Sequence, residues 1–182
     1  RAIATIDARA SARKERGQPF FLYVPLASPH TPVIATPEWR GKSGLNPYAD
    51  FVMQTDAAIG RIVDSIDRQG LAENTLIIVT SDNGCAPYAG IEELVQKGHH
   101  PSYHFRGAKA DIYEGGHRIP FIARWKGVVS PGTKHDQTIF LGDLMATCAE
   151  IIGQPLPDTA GEDSFSFLSV LRGSADAPPR PA

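Results

Sequence analysis

The stretch LIIVTSDNG, residues 76–84, decides the fold. Four apolar strand formers, Leu76, Ile77, Ile78 and Val79, run directly into Thr80, Ser81, Asp82, Asn83 and Gly84. A continuous apolar run bounded by turn residues reads as a strand buried on both faces, as in a parallel sheet. A carboxylate and a carboxamide then stand side by side where the strand ends. Asp, Asn and Gly favour turns, because the side chains bond nearby backbone and Gly accepts positive φ. Asp and Asn also carry the hard oxygens that Ca²⁺ and Mg²⁺ prefer, and open α/β sheets bind ligands outside the carboxyl ends of their strands. Taken alone, the tripeptide favours the turn.

The flanking segments extend this strand into an α/β pattern. PFFLYVPL (19–26) reads as a second buried strand. It opens into a rigid loop, because Pro25, Pro29, Pro32 and Pro37 exclude regular structure. Asn46-Pro47 starts a helix, an N-cap followed by Pro at the first helical position. Its apolar positions, Tyr48, Phe51, Val52, Thr55, Ala58, Ile59, Ile62, Val63 and Ile66, define one buried face, and Gly70 stops it. Strand, helix, strand is the crossover unit of a parallel sheet. Residues 3–16 form a further helix closed by Gly17. Downstream, residues 85–118 make a long polar connection with one helical piece, IEELVQKG. Connections of that length are functional or disordered. IPFIARW (119–125) is a third strand, LGDLMATCAEIIG (141–153) a helix, and SFSFLSVLRG (164–173) a short helix or turn. The Pro- and Ala-rich residues 174–182 read as a loose tail.

Composition excludes several classes. The chain has 182 residues, 42% hydrophobic and 21% charged, with a formal net charge of −2. That suits one domain with a sizeable core. The basic cluster RASARKER (9–16) reads as the solvated face of a helix, so no basic stripe points to nucleic acid. The longest apolar run, FFLYVPLA, is too short to span a bilayer and is broken by Pro25. Cys85 and Cys148 form no CxxC pair or disulfide framework, which leaves the redox compartment open. No signal-peptide pattern is present, and a start at Arg1 rather than Met suggests part of something longer.

Three stretches carry chemistry: SPHTP with His30, TSDNG with Asp82 and Asn83, and RGAKADIYEGGHRIP with Lys109. In an α/β sheet such loops converge. A histidine, an acid–amide pair and a lysine meeting there suit an anionic substrate held by a divalent cation. The cation polarises ester oxygens, the lysine neutralises developing charge, and the histidine donates a proton to the leaving group.

This ordered set resembles the C-terminal half of the catalytic domain of the type I sulfatases, the arylsulfatase family. That family carries a His in "PH-x-P", a "DNG" metal pair, and a Lys in "G-x-K-x-x-x-x-EGG-x-R-x-P". Here these are His30, Asp82 with Asn83, and Lys109 with Glu114, Gly115, Gly116, Arg118 and Pro120. LGDLMATCAEIIG is similar to the family's "D-L-x-P-T-x-x-x-x-x-G" helix, and EDSFSFLSVLRG to its "DG-x-S-x-x-P-x-L" stretch. The likeness runs from about residue 19 to residue 173.

The resemblance implies an alkaline phosphatase-like α/β fold, a mostly parallel sheet sandwiched by helices and here a partial domain over 1–173. It implies hydrolysis of sulfate esters. Asp82 and Asn83 would ligate Ca²⁺, with Mg²⁺ the alternative; Lys109 and His30 would bind the sulfate, and His30 would protonate the leaving oxygen. The family's nucleophile is a formylglycine made in a "C/S-x-P-S-R" motif, with two further metal-binding aspartates near the N-terminus. Neither Cys85 nor Cys148 is followed by Pro-Ser-Arg, so the nucleophile is expected in a missing N-terminal half, and the chain alone should be inactive. Self-association through uncovered sheet surface is expected with it. Export to the periplasm or the cell exterior is favoured by the resemblance alone.

Other readings stand beside these. His30 also reads as a loop cap, Lys109 as a solvated lysine, Gly115-Gly116 as a turn, and Arg118 with Glu114 as a structural ion pair, the last being preferred. His99, His100, His104 and His117 cluster in the long connection but fit no standard Zn²⁺ spacing. His100 and His104 are the better candidates for lining a substrate pocket. A phosphoesterase or phosphonate hydrolase of the same superfamily is the runner-up, although DNG in place of an Asp–His pair favours a sulfatase. A non-catalytic sulfatase-like binding domain is the alternative from another class.

Overall fold

A computed structural model describes residues 1–174 and 180. The chain divides into two compact units, one of Arg1–Ala72 with Ile78–Ile122, the other of Glu73–Ile77 with Ala123–Ala182. The first unit opens with α1 (Ala2–Arg16), closed as expected by Gly17 at φ 66°. α2 (Pro47–Arg68) follows, with the Asn46 side chain accepting the Ala49 N–H and Gly70 in the left-handed region just beyond its end. The two helices pack together: Ile6 and Ala10 of α1 are buried, and Asp7 accepts from Gln69 Nε2 at 2.7 Å and Ser65 Oγ at 3.4 Å.

Next come β1 (Ile77–Thr80), α3 (Ile91–Gln96), β2 (Pro101–His104), α4 (Glu114–His117) and β3 (Phe121–Arg124). β1 pairs with β3 in a two-stranded sheet. The connection holds the expected helical piece in IEELVQKG as α3, and beyond it a second short helix, α4, and an extended stretch, β2. The four-residue lengths of β2 and α4 fall below what periodicity resolves.

Four expectations are corrected. Residues 19–26 form no strand. Phe20, Leu22 and Val24 are half-buried while Phe21 and Tyr23 stand 83% and 77% exposed, so the segment alternates as a half-covered extended chain. A strand needs a ladder partner for its N–H and C=O groups, and among the described residues none pairs with it. The crossover unit built on that strand is consequently not formed. β1 itself is half-buried rather than enclosed on both faces, because β3 is its one ladder neighbour among the described residues. On α2, of the nine apolar-face positions only Thr55 and Ile66 are buried, since the side-chain bonds to α1 fall at its C-terminal end.

In the second unit α5 (Asp143–Ile151) and α6 (Leu168–Leu171) are stitched together by polar side chains. Asp143, 1% exposed, accepts from the N–H groups of Phe140 and Phe165, both at 2.9 Å, and from Arg180 Nε. Thr147 Oγ1 accepts the Phe167 N–H, and Ser164 Oγ accepts the Ala146 N–H while donating to Gly142 O. The two stretches that resemble sulfatase motifs here thus serve the packing of this unit. The loose tail expected over 174–182 lies largely outside the described residues; of those described, Arg180 is held between the Phe140 and Phe165 rings.

Candidate active site

All the candidate residues fall in the first unit. β1 ends with Thr80 Oγ1 donating to Pro120 O at 2.9 Å, so the turn that follows starts from a fixed point. Within it Ser81 Oγ donates to Asn83 O, and Asn83 Nδ2 donates to Gly84 O, both at 2.9 Å. The turn reading is therefore correct. It does not compete with the ligand reading. Among the described residues, Asn83 Oδ1 is left without a donor and the exposed Asp82 carboxylate has no hydrogen bond or ion pair.

Two backbone bonds fasten this turn to the lysine loop. The Gly84 N–H donates to Gly116 O at 2.9 Å, and the Lys109 N–H donates to Cys85 O at 2.8 Å. The approach is so close that a Cβ on Gly84 would lie 1.9 Å from Gly115 O. The lysine loop is folded on itself: Asp111 Oδ2 accepts the Ala108 N–H, Ala108 O accepts the Asp111 N–H, and Arg106 O accepts the Gly115 N–H at 2.7 Å. A Cβ on Gly115 would fall 2.1 Å from Gly107 O, which accounts for the glycine pair in EGG. Lys109 leaves this loop half-buried, its ammonium without an ion-pair partner among the described residues. Glu114 and Arg118 form the expected ion pair.

His30 is exposed, and its Nδ1 lies 2.9 Å from Thr31 O. A carbonyl oxygen can only accept, so Nδ1 carries the hydrogen and Nε2 is the nitrogen left for a ligand. The His30 ring meets Tyr88 edge-on, centroids 5.6 Å apart at 68°, and Tyr88 meets Tyr48 at 6.4 Å and 73°. Tyr48 in turn borders Cys85: burial, then the neighbouring Cys85, pushes its hydroxyl up to about 12. Burial likewise pushes the Cys85 thiol up, the reverse of what an activated nucleophile needs.

The structure thus ties the backbone of the Asp82–Asn83 turn to that of the lysine loop, and joins His30 to neighbouring Cys85 through Tyr88 and Tyr48. His100 and His104 form a separate exposed pair, rings 4.9 Å apart, with Tyr103 against His104 at 4.4 Å. No hydrogen bond or ring contact among the described residues ties them to His30 or Lys109. His99 is exposed and His117 bonds Ile112 O, and among the described residues no cluster of three His, Cys, Asp or Glu could hold a metal. Asp82 and Asn83 offer two side chains with hard oxygens, a carboxylate and a carboxamide, which fits Ca²⁺ or Mg²⁺ in chemistry but supplies only part of a shell of roughly 6–8 oxygens. Sequence reasoning set Tyr48 on the apolar face of α2 and gave Tyr88 no part, and the ring contact that brings Tyr88 to His30 has no signal in CAPYAG.

The profile of the sulfatase family matches residues 3–154. The chain belongs to the sulfatase family. It is 38% identical to an N-acetylgalactosamine-6-O-sulfatase of Bacteroides thetaiotaomicron over 175 residues, covering 94% of this chain and 34% of that protein. Human arylsulfatase A is 35% identical over 172 residues, covering 94% of this chain and 32% of that protein. The chain therefore spans about a third of the length of these sulfatases. Among solved structures, a sulfatase of Bacteroides thetaiotaomicron described in a study of glycosaminoglycan metabolism superposes with a TM-score of 0.80 at 36% identity, over 94% of this chain and 36% of that one. A sulfatase from Pseudoalteromonas sp. gives a TM-score of 0.78 at 28% identity, over 99% of this chain and 35% of that one. These neighbours have the alkaline phosphatase-like α/β fold, of which the β1–β3 sheet of this sulfatase chain is a small part. Among the described residues no helix is long and apolar enough to cross a membrane.

Proposed function

We propose that this chain carries the C-terminal part of a sulfatase active site that hydrolyses sulfate esters. The observation that carries the reading is the pair of backbone bonds, Gly84 to Gly116 and Lys109 to Cys85, which sets the lysine loop against the Asp82–Asn83 turn. A loop carrying a lysine without an ion-pair partner, fastened to a turn that carries a carboxylate and a carboxamide oxygen without donors among the described residues, suits a sulfate group flanked by a cation. Asp82 and Asn83 would hold Ca²⁺, or Mg²⁺ in its place, and the ion when bound polarises the sulfate oxygens. Lys109 binds those oxygens and stabilises the charge that grows on them as the ester bond breaks. His30, in its imidazolium form with hydrogens on both ring nitrogens, presents Nε2–H to the leaving oxygen and gives it that proton. The nucleophile, a formylglycine, lies outside this chain, because neither Cys85 nor Cys148 precedes Pro-Ser-Arg.

Lys109→Ala in the complete enzyme tests the reading, with Lys126→Ala as control. Lys126 is an exposed lysine paired with Glu73 at 2.8 Å. Removing one electrostatic contact to the reacting group lowers turnover on the order of 10² to 10³, whereas a surface substitution moves stability by about 0.5 kcal/mol and leaves the rate alone. We expect that contrast in kcat for a sulfate ester; equal rates for the two variants would return Lys109 to the surface.

A further inference from the structure

Tyr88 stands on a 3-10 turn, Pro87–Ala89, whose backbone is held from several sides. Ala86 and Ala89 on either side of it are buried, and the Ala89 N–H donates to Ala86 O at 2.9 Å. Asn46, the residue that caps α2, is itself 8% exposed and donates from Nδ2 to Ala89 O at 2.8 Å. One side chain therefore fixes both the start of α2 and the turn that carries Tyr88. A turn so well anchored could bury its aromatic ring. Instead the ring is 44% exposed, backed by Tyr48 and set edge-on to His30. Core packing does not account for that placement.

His30 supplies the complement. Among the described residues its one side-chain hydrogen bond, Nδ1 to Thr31 O, leaves the imidazole free to swing about that contact. A second contact on the ring removes this freedom, and the Tyr88 ring is that contact. Edge-to-face aromatic pairs have a preferred geometry and resist rotation. Two restraints, one on Nδ1 and one on the ring, define where Nε2 points.

We propose that Tyr88 is a positioning residue for His30, holding the imidazole so that Nε2 delivers its proton to the leaving oxygen. The proposal rests on the reading of His30 as the proton donor. As the S–O bond breaks, its electron pair stays on the leaving oxygen and takes the Nε2 proton, which leaves the imidazole neutral. The sulfuryl group goes to the oxygen nucleophile supplied outside this chain. An acidic phenol leaves without needing that proton; an aliphatic or sugar alcohol does need it. The ring of Tyr88 should therefore matter in proportion to the basicity of the leaving group.

The experiment compares Tyr88→Phe, Tyr88→Leu, Tyr88→Gln and His30→Ala in the complete enzyme, with an activated aryl sulfate and an alkyl sulfate as substrates. Two ring-less variants are included so that a folding failure in one does not end the test, and thermal melts identify such a failure. We expect Tyr88→Leu and Tyr88→Gln to lose roughly tenfold or more in kcat on the alkyl sulfate, little on the aryl sulfate, and to keep KM. Tyr88→Phe, which retains the ring, should match the unmodified enzyme on both. Equal losses on both substrates, no loss on either, or no rescue by Phe would overturn the proposal while leaving His30 in its role. A His30→Ala variant with no dependence on the leaving group would overturn the proton-donor reading and the Tyr88 proposal together.

Discussion

A Cβ on Gly84 would meet Gly115 O at 1.9 Å, and backbone cannot swing away as a side-chain tip can. The two glycines let the Asp82–Asn83 turn and the lysine loop share hydrogen bonds at main-chain distance. Gly60 lies in the interior of α2, and a methyl group added there would meet nothing within 4 Å. The same substitution should then have opposite signs at the two positions. Gly60→Ala should raise stability by about 0.5–1 kcal/mol, because alanine loses less backbone entropy in a helix. Gly84→Ala should lower it by about 1–3 kcal/mol through overpacking, and should also separate Lys109 from Asp82. Denaturant midpoints of both variants check this, and a neutral or stabilising Gly84→Ala would contradict the close approach. In the sequence Gly115-Gly116 reads only as a turn and the two loops only as converging, so this main-chain contact, which glycine alone suits, is seen only in the fold. Tyr88 is not legible, because its partner His30 lies 58 positions away and no local pattern marks a ring contact.

At the scale of elements, α2 shows what a local signal does reveal. Asn46-Pro47 marks its start, Gly70 its end, and both hold. α1, α5 and the Glu114–Arg118 pair are equally readable, because caps, glycine stops and i,i+4 spacing are local physics. PFFLYVPL is not, because strand formation depends on a partner ladder that composition cannot supply. Nor can the cap residue's second bond, to Ala89 O, be inferred from the helix start. That bond makes a prediction. Asn46→Ala should cost about 1 kcal/mol for the lost cap and about 1 kcal/mol more for leaving Ala89 O without its donor. Asn46→Asp should keep the cap, since a carboxylate still accepts the Ala49 N–H, but it cannot donate to Ala89 O. Hydrogen exchange should therefore show α2 protected in Asn46→Asp while residues 86–90 exchange faster. Equal protection of that turn in both the Asp variant and the parent chain would mean that Asn46 does not anchor it.

At the scale of the whole molecule, several large hydrophobic side chains are exposed close together in sequence. Phe21, Tyr23, Leu26 and Ile34 are exposed within a single stretch of the first unit, and Ile122 is exposed on β3. Isolated exposed hydrophobics are ordinary, but several together mark a surface that binds something. The extended segment from Phe20 to Val24 compounds this, because its N–H and C=O groups are unpaired by any strand among the described residues and can template pairing with another chain. The chain spans about a third of the sulfatases it resembles. We expect the 182-residue chain, purified by itself, to self-associate through this segment. Light scattering coupled to size exclusion should show dimers or larger species whose share grows with concentration. Replacing Phe21 and Tyr23 together by Ser should shift the distribution toward monomer without lowering the melting temperature, because both side chains are largely exposed. A monodisperse monomer at high concentration, or oligomers that persist unchanged in the double variant, would show that this segment is not the adhesive surface.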